Sequence, residues 1–84
     1  MTNIIWSKTN CPFCVQAKDL LKQHDIPFEE RTIGEKWTKE QLLEAVPTAR
    51  SVPQISLYGT YIGGYQDLVD YFEQTTTGST EGKL

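Results

Sequence analysis

Cysteine is scarce in this chain, two residues among 84, and no apolar run is longer than Ile4-Ile5-Trp6. Runs that short argue against a membrane-spanning helix, which needs about 20 apolar residues. Basic residues are few as well: eight Lys and Arg against eleven Asp and Glu, for a formal net charge of -3. They form no block or stripe that could follow a phosphate backbone, so nucleic acid is not the expected partner. Met1-Thr2-Asn3 is no charged signal n-region, and no internal repeat is visible. The expectation is a cytoplasmic protein without a membrane partner.

What is present suits one small domain. Hydrophobic residues make up 38% and aromatic residues 11% of the chain, enough for a compact core and outside the disordered range. Residues 75–84, TTTGSTEGKL, carry one apolar residue and two glycines. That segment cannot bury a face, so the domain is expected to span 1–74 and to be followed by a mobile tail.

Along the chain, Asn3 to Ser7 reads as a short buried strand and Lys8-Thr9-Asn10 as a loop. Pro12 suits the first position of a helix, with Asn10 or Cys11 as its cap. Ala17, Leu20, Leu21 and His24 then fall on one face, so the helix runs to about Gln23 or His24. Phe28 to Ile33 reads as a second strand with Glu29 and Arg31 facing water, and strand, helix, strand suggests a parallel pair. Thr38 and Gln41 fit a capping box, and Trp37 and Leu42 its hydrophobic staple, predicting a helix over Lys39 to Ala45 that Val46-Pro47 ends. Gln54 to Leu57 and Thr60 to Gly63 look like a hairpin turning at Tyr58-Gly59. Leu68, Tyr71 and Phe72 mark a last amphipathic helix from near Gln66 or Asp67.

In a reducing compartment a lone CxxC is redox-active or metal-binding more often than it is a staple. Cys11, at a helix N-terminus, would feel unpaired N–H groups and the positive end of the macrodipole, both of which favour thiolate over thiol. An ordinary thiol, with pKa of about 8.5, is only a few per cent ionised at neutral pH, so such a shift decides reactivity. Lys8, three residues upstream, would act in the same direction or be a solvated loop lysine. Cys14, one helical turn on, is placed to attack a mixed disulfide on Cys11. The same spacing is half of a zinc site, for which His24 is the only other good ligand, and both thiols could also simply fill space.

Three separated motifs resemble those of the glutaredoxins. Lys8-Thr9-Asn10-Cys11-Pro12-Phe13-Cys14 is similar to the family's K-x-x-C-P-[YF]-C, Arg50-Ser51-Val52-Pro53-Gln54-Ile55 to R-T-V-P-Q-I, and Gly63-Gly64-Tyr65-Gln66-Asp67-Leu68 to G-G-x-x-D-L. The resemblance covers roughly residues 3 to 73. It implies an α/β, thioredoxin-like fold, a four-stranded mixed sheet flanked by three helices in the order βαβαββα, with a cis peptide before Pro53. It also implies a dithiol enzyme, with Cys11 as nucleophile and Cys14 resolving, supported by Lys8, Pro12, Phe13 and Pro53.

Glutathione is the co-substrate the resemblance implies, and no metal is expected. Lys8 and Arg50 match its glycine carboxylate, and the Val52 backbone its cysteinyl segment. The N–H groups of Gln66 and Asp67 match the γ-glutamyl carboxylate, and the Asp67 side chain the ammonium. Gly63 and Gly64 leave room for close approach, while Phe13, Pro53 and Tyr65 complete the groove. Phe13 stands where tyrosine is commoner, Ser51 where threonine is usual, Ser56 where the strand is often aromatic and Tyr58 where a turn Asp or Asn is common. Trp6 and Trp37 are assigned to packing. Implied partners are glutathionylated or disulfide-containing proteins, ribonucleotide reductase among them, served by a monomer. A [2Fe-2S] carrier and a donor recharged by thioredoxin reductase stand as alternatives; Pro12 and Cys14 resemble the dithiol branch more than the cluster-binding one, whose motif is CGFS.

Overall fold

The structure, a computed structural model, describes residues 2–81, with side chains to residue 74. Its elements follow the expected order: β1 (Ile4–Ser7), α1 (Pro12–Gln23), β2 (Glu29–Thr32), α2 (Lys39–Ala45), β3 (Gln54–Leu57), β4 (Thr60–Gly63) and α3 (Tyr65–Glu81). The strands form one mixed sheet in the order β2-β1-β3-β4. β1 pairs parallel with β2 and antiparallel with β3, and β3 pairs antiparallel with β4. No helix among the described residues is long and apolar enough to cross a membrane.

Alternation along β1 builds a core on each side of the sheet. Ile5 faces α1 and α3 and packs with Ala17, Leu21, Ile55, Leu57 and Leu68, while Ile4 and Trp6 join Leu42, Val46 and Trp37 on the α2 side. Each fully buried Leu or Ile side chain of the first group contributes about 1.5–3 kcal/mol. Ile5, Leu21, Ile55 and Leu68 show no exposed surface at all.

Local signals act as expected in α1 and α2. Pro12 opens α1, and the Thr38–Gln41 capping box is reciprocal: the Thr38 hydroxyl accepts from the Gln41 N–H at 3.2 Å, and the Gln41 side chain accepts from the Thr38 N–H at 2.9 Å. Trp6 and Trp37 pack edge to face with centroids 5.3 Å apart.

Arg31 was expected simply to face water, and that needs correction. Its guanidinium lies 4.3 Å from the Trp37 ring centroid and 5.1 Å from that of Trp6, and Glu29 accepts from its Nε at 2.9 Å. A planar, weakly hydrated cation gains from the ring faces and from the apolar surface under its stem.

Asn3 is buried with both ends of its amide used. It donates to the Pro27 carbonyl at 2.9 Å and accepts from the Tyr58 N–H at 2.8 Å, so one side chain ties the entry to β2 to the β3–β4 turn. In that turn Tyr58 and Gly59 both have positive φ, 54° and 81°. This is the pattern of a two-residue hairpin turn that usually selects Asn-Gly; at Tyr58 the Asn3 bond holds the costly conformation.

α3 begins at Tyr65 rather than at Gln66 or Asp67, and its backbone stays helical to Glu81, beyond the 1–74 boundary set by composition. Residues 82–84 of the expected tail lie outside the described residues.

Candidate functional site

Cys11 is the N-cap of α1, with extended backbone angles of -124° and 97°, and its sulfur accepts from the Cys14 N–H at 3.2 Å. Asn10, the other candidate cap, is held at a φ of 55°, a conformation asparagine tolerates better than most residues. Cys11 and Cys14 form a disulfide with Cα atoms 5.2 Å apart. Both are buried, Cys11 at 8% exposure and Cys14 at 1%, so Cys11 is the more accessible residue of the pair.

The peptide bond between Val52 and Pro53 is cis. The Val52 carbonyl oxygen lies 3.9 Å from the Cys11 sulfur. Beside it lies a groove of about 390 Å³ lined by Phe13, Ser51, Val52, Pro53, Gly64, Tyr65, Gln66 and Asp67. The Phe13 and Tyr65 rings meet across it with centroids 5.8 Å apart, and Phe13 is more than half exposed. A second depression of about 270 Å³ continues past Ser51 and Val52 to Lys8, Arg50 and Lys39. The two hollows share Ser51 and Val52, so the candidates from the three motifs lie along one continuous surface. Lys39 and Ser51 are lining residues that motif reading passed over.

Asp67 is the third residue of α3, and its carboxylate accepts from the Gly64 N–H at 3.0 Å. It therefore caps the helix backwards from inside the first turn, one half of a capping box. That bond also explains the early helix start: Gly64 becomes the cap and Tyr65 the first helical residue.

His24 caps the other end of α1 and stacks on Phe72, with centroids 3.7 Å apart. About 18 Å of helix separates it from Cys11, so this histidine does not complete a zinc site with the cysteines. Among the described residues no group of three or more His, Cys, Asp or Glu has the geometry to hold a metal ion.

On the opposite flank of the disulfide lies a larger depression of about 750 Å³, whose lining includes Lys8, Cys11, Cys14, Lys18 and Glu30. Glu30 accepts from Lys18 Nζ at 2.8 Å and from the buried Ser7 hydroxyl at 2.7 Å. The Lys18 bond first, then the Ser7 bond, hold its carboxyl below the ordinary value, against a smaller desolvation effect. A carboxyl whose pKa is lower folded than unfolded stabilises the fold at pH above the unfolded value of about 4.3, and that contribution is lost as pH falls through the folded value. Thermal melts taken from pH 6 down to pH 3 are therefore expected to fall less steeply below about pH 5 for Glu30→Gln than for the parent. Equal slopes would show that the pair contributes nothing to acid stability.

Comparison with known proteins agrees with this geometry. The family model described as Glutaredoxin matches residues 3–62. The chain is 35% identical over 75 residues to Glutaredoxin-C4 of Arabidopsis thaliana, a match covering 83% of this chain and 54% of that protein. It is 41% identical over 68 residues to the hybrid peroxiredoxin hyPrx5 of Haemophilus influenzae, covering 81% of this chain and 28% of that protein. The chain thus spans about half of one relative and just over a quarter of the other. Reduced Escherichia coli glutaredoxin superposes with a TM-score of 0.74 at 32% identity, covering 92% of this chain and 99% of that one.

Proposed function

Because the chain belongs to the glutaredoxin family, we propose that it is a glutathione-dependent thiol–disulfide oxidoreductase. Its substrates are glutathione mixed disulfides and protein disulfides, with ribonucleotide reductase among the candidate clients. The observation that carries this reading is the placing of Cys11. The more exposed cysteine of the pair caps α1, and its sulfur accepts a backbone N–H and lies beside the Val52 carbonyl.

In the reduced protein the Cys14 N–H and the α1 dipole favour a Cys11 thiolate. That thiolate attacks the glutathione sulfur of a mixed disulfide, a Cys11–glutathione bond forms, and the client leaves as a thiolate that takes a proton from solvent. A second glutathione thiolate then attacks the bound glutathione sulfur, releasing oxidised glutathione and restoring the Cys11 thiolate. With a protein disulfide, Cys14 attacks Cys11 instead, the client leaves fully reduced, and the Cys11–Cys14 disulfide remains for glutathione to reopen. Glutaredoxin couples lie near the potential of the glutathione pool, so in a reducing cytoplasm the net direction is reduction.

The tripeptide's charges suit the lining. Lys8 and Arg50 face its glycine carboxylate, and the Val52 backbone pairs with its cysteinyl segment. Gln66 and Asp67 offer N–H groups at the α3 N-terminus to the γ-glutamyl carboxylate. Asp67 receives the ammonium group; a carboxylate has lone pairs to spare after the single bond from Gly64.

The test is turnover of a small glutathione mixed disulfide coupled to glutathione reductase, run beside a parallel assay with thioredoxin reductase as electron source. Saturable turnover with glutathione supports the reading. Turnover with thioredoxin reductase alone would replace it with a donor that ignores the tripeptide.

A further inference from the structure

Gln54 belongs to the Arg50–Ile55 motif, yet neither the cysteine chemistry nor the tripeptide's charges use its side chain. It is a buried amide on β3, where polar side chains must be hydrogen-bonded to be tolerated. Its Nε2 donates to the Ser51 carbonyl at 2.8 Å, and its Oε1 accepts from the Tyr61 hydroxyl at 2.6 Å. An amide can flip, and a flipped Gln54 would point its oxygen at the Ser51 oxygen. The Ser51 carbonyl, which only accepts, selects the orientation that gives it Nε2, and the Tyr61 hydroxyl then holds the Oε1 end in place.

Ser51 C=O and Val52 N–H belong to one planar trans peptide, in which carbonyl and N–H point in opposite directions. Fixing the Ser51 oxygen therefore fixes the direction of the Val52 N–H. Ser51 and Val52 are also the residues common to the two hollows that flank the site.

We propose that Gln54, anchored at its oxygen end by Tyr61, is a positioning residue that sets the Ser51–Val52 peptide plane and so pre-organises the backbone edge that pairs with the glutathione cysteinyl segment. The inference rests on the glutathione reading. Its physical content is that a peptide plane held before binding need not be ordered during binding, so loss of the tether appears in affinity and leaves the chemical step alone.

Gln54→Met keeps length and removes both hydrogen-bonding groups, while Tyr61→Phe removes only the hydroxyl from a ring that is half exposed. Gln54→Met is expected to raise KM for glutathione about 5–10-fold with kcat within about twofold, and Tyr61→Phe to raise it about 2–3-fold. The Tyr61→Phe effect should vanish when Gln54 is already Met, because the hydroxyl acts only through the amide. A second readout does not depend on turnover: the Val52 amide order parameter in the free protein, expected to fall from the rigid range of about 0.85 toward 0.6 in Gln54→Met while Ile55 is unchanged. Should Gln54→Met fail to fold, Tyr61→Phe carries both measurements, with a smaller fall at Val52. Unchanged Val52 order overturns the proposal, and so does a fall in kcat at constant KM. A parent protein that does not turn over with glutathione defeats the enzyme reading, and the Val52 measurement then still decides whether Gln54 holds the peptide plane.

Discussion

Replacing Cys11 by serine is expected to lower glutathione-dependent disulfide reduction at least about a thousandfold, whereas Cys14→Ser stays within about threefold of the parent on small glutathione mixed disulfides. A serine hydroxyl at the α1 cap keeps the hydrogen bond from the Cys14 N–H, so the helix loses little. It has no sulfur with which to form a mixed disulfide, and at neutral pH it is not ionised; covalent exchange stops. Cys14 is buried behind Cys11, and a second glutathione can do its work on a glutathione adduct. The two variants should part on protein disulfides, where Cys14→Ser leaves a client trapped on Cys11 as a mixed disulfide visible by mass. If Cys14→Ser were as inactive as Cys11→Ser on the small substrate, resolution by glutathione would be wrong. Residual activity in Cys11→Ser above a few per cent would move the nucleophile elsewhere.

Legibility in the sequence followed the range of the interactions. Pro12 and the Thr38–Gln41 pair act within one turn, and both helix starts fell where those residues said. The hairpin strands matched their expected limits, while β2 proved shorter than Phe28 to Ile33. Phe28 packs into the α1 and α3 core ahead of the strand, and Ile33 leaves the sheet to bridge with Trp37. The closeness of the two cysteines was legible because their spacing across a helix start brings both side chains to the same end of α1.

Contacts between distant side chains were not legible. Asn3 reaches Tyr58 across 55 positions, and Glu30 reaches Ser7 across 23. A polar residue on a strand announces neither its partner nor its burial until the sheet is assembled. Arg31 misled for the same reason: alternation placed it in water, and the edge-to-face pair of Trp6 and Trp37 offered it ring faces instead. The motifs located the groove through the resemblance, yet they gave Gly63 and Gly64 a single role where the structure gives them different ones.

Gly63→Ala is expected to lower unfolding free energy by about 2–4 kcal/mol and to raise KM for glutathione about tenfold, while Gly64→Ala costs less than about 1 kcal/mol. Gly63 closes β4 at a φ of 127°, a backbone conformation that L side chains rarely adopt. A Cβ built there would meet the Asp67 carboxylate oxygen directly, with Asp67 Cγ at 2.7 Å and its Cβ at 2.9 Å. Rotating the Asp67 side chain could move the oxygen and Cγ, but Cβ is fixed to the helix, so α3 itself would have to retreat. That shift breaks the Gly64 N–H bond to Asp67 and misplaces the carboxylate proposed to receive the glutathione ammonium, which ties the expected stability loss to the expected affinity loss. At Gly64 the nearest neighbour of an added Cβ is the Pro53 carbonyl at 3.5 Å, an ordinary contact. Urea unfolding and glutathione KM measured on both variants decide the matter. Equal stability of the two would mean that the Gly63 backbone relaxes freely, and a destabilised Gly63→Ala with unchanged KM would remove Asp67 from the binding site.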